Sequence, residues 1–129
     1  MKRLLFAVPL WLSVSSALAQ EVPPETYRDM WCATAYQQTT PIELIPPEDQ
    51  PRAKVFLDAA NAMMDRGVGA MSAAGFAAAA IDNFKQQLLV RVAMQVQQGG
   101  TPEFEPAECD ALMREFLPPE FLADQPATQ

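Results

Sequence analysis

Cys32 and Cys109 are the two cysteines of this chain, and they lie 77 positions apart. A disulfide holds its two Cα atoms about 4.4–6.8 Å from each other. Any fold that joins this pair must therefore bring position 109 back to position 32 after a long excursion. The chain-entropy model credits a closed loop of that length with about 4.5 kcal/mol, a large share of the ~5–15 kcal/mol typical of a small domain. A redox-active pair is usually close in sequence, as in C-x-x-C. This distant pair reads instead as one structural bridge, in a compartment that permits it.

The first residues supply the compartment. Lys2 and Arg3 give a positive start, and residues 4–14 form an apolar stretch interrupted by Pro9 and Ser13. Ala17-Leu18-Ala19 then offers small residues at both positions that a signal peptidase reads. The pattern predicts a secretory signal over 1–19, cleaved after Ala19, and a single helical domain over 20–129. The apolar stretch is shorter than the ~20 residues that span a bilayer, so no stable membrane insertion is expected after cleavage. Gln20 rather than a cysteine follows the cut, which disfavours a lipid-modified terminus. The expected location is periplasmic or secreted.

Loss of Lys2 and Arg3 changes the formal charge from −7 to −9. So acidic a chain repels phosphate backbones and anionic lipid, which disfavours nucleic acid and leaves basic proteins or peptides as better partners. There is no histidine. The commonest general base, metal ligand and near-neutral switch are therefore all absent, and carboxylate protonation near about pH 4–5 is the only pH trigger on offer.

Prolines and glycines cut the remainder into helical segments. A first helix is expected over 25–38, with Tyr27, Met30, Trp31, Thr34 and Ala35 at helical spacing. A proline-bounded connector follows over 42–50. The second helix is expected over 51–66, where Val55, Phe56, Ala59, Ala60 and Met63 form an apolar stripe and Gly67 supplies a stop. Residues 68–81 carry no charge and are rich in Ala and Gly. Within them Ser72 is read as the cap of a third helix reaching Gln98, about 39 Å long at ~1.5 Å per residue. A fourth helix is expected over 106–116, ended by Pro118-Pro119, with a flexible tail from about 118 in which Phe121 and Leu122 can dock. No segment alternates as a strand does. The fold class is all-α, a small bundle of about four helices with proline-rich connectors.

Catalytic constellations are sparse. Lys85 falls inside the apolar arc of the third helix, where a buried amine can act as a base, although lysine stems more often lie along apolar surface. Glu103, Glu105, Glu108 and Asp110 cluster, but a solvated acidic face is the simpler reading than an acid/base pair. Met63, Met64 and Met71 are thioethers that can ligate reduced copper, yet without histidine they read as core filler or an adaptable binding surface. No cofactor or metal is expected. Tyr27, Trp31, Cys32 and Tyr36 gather around the bridge, either as core or as a ligand groove lined by Trp31 and Tyr36. The candidate partner-binding residues are Met63, Met64, Met71 and Phe76 of the uncharged region, together with Trp31 and Tyr36.

A leader, helical segments, Trp31-Cys32 on the first helix and a bridge to Cys109 resemble, in outline, the small periplasmic acid-stress chaperones of the HdeA-like family. The resemblance implies a helical fold that loosens when carboxylates protonate and then binds unfolding clients. This chain departs from that pattern in its long cysteine spacing, its extended third helix, and its many prolines and few lysines. The functional expectation is an exported, non-enzymatic helical protein that binds another protein or peptide, chaperone-like under acid or envelope stress. A structural or inhibitory subunit of an envelope complex, a homodimer included, is the alternative. A small enzyme using Lys85 or an acidic pair is the third.

Overall fold

The computed structural model describes residues 21–123. The expected signal segment and the last residues of the tail lie outside that range. Helices α1 (Pro24–Thr39), α2 (Gln50–Ala73), α3 (Ala78–Val92), α4 (Pro106–Arg114) and α5 (Pro119–Ala123) follow in order, with a 3-10 turn at Ile42–Leu44 and a π turn at Ala93–Gln97. No strand occurs among the described residues.

The molecule is built around α1. Thr26 and the unbroken run from Asp29 to Thr34 are buried, so the middle of this helix is enclosed on nearly every side. It packs most extensively on α2, and also meets α3, the π turn and α4. A helix buried all round has no polar face to give it a clean periodicity. Pro24 occupies its first turn, where the missing N–H costs nothing. Opposite α1, α2 buries Ala59, Ala60, Met63, Met64 and Met71, while α3 contributes Ile81, Leu88 and Val92.

Helix α2 does not stop at Gly67. It runs on to Ala73, because Gly67 lies in the helix contact and not at a helix end. A Cβ there would overlap Met30 Cγ and stand 3.0 Å from Met30 Sδ. The stop is Gly75, at φ +91°. The Phe76 amide donates to the Met71 carbonyl at 3.1 Å and the Gly75 amide to the Ser72 carbonyl at 3.0 Å. These two bonds form a Schellman closure, with Phe76 placed to pack back on Met71. Ser72 therefore belongs to α2, and α3 starts at Ala78 with no side-chain cap. Its 15 residues make a rod of about 22 Å, and the π turn continues it to Gln97, so the expected third helix ends close to Gln98 but begins at Ala78 and not at Ser72. Helix α4 stops short of Pro118-Pro119, Pro119 then opens α5, and Phe121 docks as anticipated, meeting Phe56 edge-on at 6.1 Å with Arg52 beside both rings.

Cys32 on α1 is bonded to Cys109 on α4, with the two Cα atoms 5.3 Å apart. A second tie joins the same helices through α2. Arg66 donates from Nε and Nη2 to both oxygens of the buried Asp29 at 2.8 and 3.0 Å, and from Nη1 to Glu115 at 2.8 Å. Its guanidinium also lies 4.6 Å from the Phe116 ring centroid. The planar fork suits such divided work better than an ammonium would.

Candidate binding cleft beside the disulfide

The chain beyond α3 shapes the surface over the bridge. At Ala93–Gln97 the helix widens into a π turn, closed by the Gln98 amide on the Ala93 carbonyl at 3.1 Å. The extra residue turns Val96 and Gln95 toward α1. After Gly99 and Gly100 an extended loop carries Pro102, Phe104 and Pro106 back past Trp31, and α4 begins. Its start is fixed by a capping box: the Glu105 side chain accepts from the amide three residues on, and the Glu108 carboxylate accepts from the Glu105 amide at 3.0 Å.

These pieces enclose a cleft of about 200 Å³. Its α1 wall is Trp31, Ala35, Tyr36 and Thr39; Val96 and Phe104 face them, with Pro102 and Pro106 at the loop side and Cys109 and Asp110 on α4. Trp31 meets Phe104 in a T-shaped contact at 5.4 Å, and Phe104 also lies 6.0 Å from Tyr27. The indole Nε1 donates to Gln95 Oε1 at 2.9 Å, and Gln95 Nε2 donates to Glu103 at 3.0 Å. Arg91 completes this chain, donating to the Tyr27 hydroxyl at 2.8 Å and standing 3.6 Å from Glu103. The indole is thus locked in position, with its polar atom satisfied away from the cleft.

Electrostatics separate the floor of the cleft from its rim. At the rim the Tyr36 hydroxyl donates to Asp110 Oδ1. Burial, and then this bond to a carboxylate, push the Tyr36 phenol well above its ordinary value, so it remains a donor and does not act as a base. Burial alone would raise Glu103, but hydrogen bonds from Tyr27 and Gln95 and the charge of Arg91 outweigh it and hold the carboxyl below its ordinary value. Tyr27 is raised, first by burial and next by Glu103.

The residues singled out from the sequence divide between core and cleft. Met63 and Met71 are fully enclosed and Met64 is 7 % exposed, so they are packing under α1 and not an open methionine face. Phe76 is partly buried at the α2 terminus. Residues 68–81 do not act together: they are the end of α2, the Gly75 turn and the first turn of α3, and the alanines at 77–80 face solvent. Lys85 is partly exposed, outside the buried positions of α3. Trp31 and Tyr36 do share a groove, as one reading of the aromatic cluster anticipates, with Trp31 forming its wall from a buried position. Sequence reasoning missed the other wall. Phe104 spaced between Pro102 and Pro106, a lone aromatic in an acidic proline loop, was the available signal.

Comparison with known proteins returns no matching family model, curated protein or solved structure. None of these comparisons adds to the outline likeness to the HdeA-like chaperones. No helix among the described residues is long and apolar enough to cross a membrane.

Proposed function

We propose that this chain is an exported, non-enzymatic binding protein that holds a segment of a partner protein in the cleft between Trp31, Tyr36 and Phe104. One observation carries the reading: the surface directly over the disulfide is a preformed apolar groove whose aromatic wall is already fully bonded. At about 200 Å³ it is smaller than the ~300–1,000 Å³ usual for small-molecule sites, and it suits one large side chain of a peptide. The leader pattern over 1–19 and the bridge support export. Chemistry has little to work with here, since both cysteines are bonded to each other, the sequence lacks histidine and the Tyr36 phenol is held protonated.

Trp11 lies in the leader, so Trp31 is the sole tryptophan of the cleaved chain and its emission reports on the cleft. Peptides selected from a random displayed library on the oxidised protein are expected to shift that emission. They should lose at least about tenfold in affinity against Thr39→Phe, which fills the groove from its exposed rim. Selected peptides that bind Thr39→Phe unchanged would show that recognition occurs elsewhere.

A further inference from the structure

Building on the cleft reading, we infer that the partner segment is cationic, with one large apolar side chain in the groove and lysine or arginine flanking it at the rim. The acidic cluster, which the capping and packing roles only partly absorb, carries this step. Asp110 lines the groove itself, held in place by Tyr36. Glu103 adjoins Pro102 and Phe104, Glu105 adjoins Pro106, and Glu108 adjoins Cys109. Every one of the four carboxylates is thus next to a residue of the groove or is one itself, and all four lie on the loop and α4 side.

The nearby cations do not cancel them. Arg91 is engaged by the Tyr27 hydroxyl and Glu103, and Arg114 follows Asp110 by one helical turn on α4. The loop and the start of α4 thus carry four carboxylates against the two arginines Arg91 and Arg114, in a chain whose formal charge is −7. The groove floor is apolar, so affinity comes from burying the anchor, while the rim selects the sign of its neighbours. Rim charges stay hydrated and act through steering and selectivity more than through raw affinity. An anionic segment with the same anchor is repelled, as are nucleic acid and anionic lipid.

Four short peptides test this on the cleaved, oxidised chain: one phenylalanine between two pairs of lysines, the same with serines, the same with glutamates, and the lysine peptide with alanine as its centre. At low salt the lysine–phenylalanine peptide should bind about tenfold tighter than the serine one, and the glutamate one weakest. The contrast should shrink at about 1 M salt, where the screening length falls to about 3 Å. Asp110→Asn, which keeps an acceptor for Tyr36 at an exposed position, should reduce the preference for the lysine over the serine peptide several-fold. Equal binding of the lysine and serine peptides would overturn the charge inference while the groove reading stands. Equal binding of the two lysine peptides, with or without phenylalanine, would overturn the anchor. If none of the phenylalanine peptides bound, both the groove reading and this inference would fail.

Discussion

Two glycines two positions apart in α2 do opposite things. At Gly67 the absent side chain is what lets α2 approach α1, since Met30 is fully buried and cannot swing away from an added methyl group. At Gly69 nothing stands within 4 Å of a Cβ, and the residue is exposed in a continuous helix. Gly67→Ala gains about 1 kcal/mol of helix propensity but meets an overpacking penalty of about 1–3 kcal/mol. Gly69→Ala meets only the gain. Urea denaturation should therefore show Gly67→Ala destabilised by about 1 kcal/mol and Gly69→Ala stabilised by about 0.5–1 kcal/mol. Stabilisation of both would mean that Met30 repacks freely, and that the helix contact is not set by this glycine.

At the scale of elements, the loop from Gly100 to Glu105 is held to α3 and α1 largely by the links among Trp31, Gln95, Glu103, Arg91 and Tyr27. Glu103 is the titrating member within reach of acid. Its folded-state carboxyl is held below the ordinary value of 4.5, so it contributes stability that is fully present above that value. As pH falls through 4.5 and then through the lower folded value, the unfolded chain takes up the proton first and the contribution vanishes. Measured from about pH 7 down to about pH 3, the stability gap between the natural chain and Glu103→Gln should close in that window and stay flat above it.

The existence of the elements was largely legible in the sequence, but their limits were less so. Pro24, Pro106 and the stripe from Val55 to Met63 announce α1, α4 and the body of α2 by local chemistry alone. Gly67 misleads because the same residue serves a helix stop and a close helix contact, and only the presence of Met30 across the interface distinguishes them. The π turn leaves no mark that periodicity can detect, and it is what turns Val96 toward the groove. Half of the groove, Trp31 and Tyr36, was visible as an aromatic cluster near a cysteine. The other half comes from a loop whose return path is set by tertiary contacts.

For the whole molecule, α4 and its flank are held by packing as well as by the bridge: Leu112, Met113 and Leu117 are buried in the core. Polar and ring contacts add to this packing: Tyr36–Asp110, Arg66–Glu115, Arg66 on Phe116, and the rings of Phe104 and Phe121. The exposed Arg66–Glu115 ion pair contributes about 0–1 kcal/mol. Cys32→Ser with Cys109→Ser should therefore cost about 2–5 kcal/mol in a denaturant titration, approaching the ~4.5 kcal/mol of the closed loop. The groove should go with it, because Cys109 is part of the wall. A reduced chain as stable as the oxidised one would place the stabilisation in packing alone.

The central place of α1 also sets an order in time. Synthesis proceeds from the N-terminus, so α1, which α2, α3, the π turn and α4 come to surround, is made before all of them. Its buried run from Asp29 to Thr34 has no covering until α2 and α3 follow, and Cys32 has no mate until position 109 has emerged. The first of the described helices to be made is therefore the last to be completed. A nascent chain halted anywhere before Cys109 would present its future centre, Trp31 and an unpaired thiol included, to whatever surrounds it.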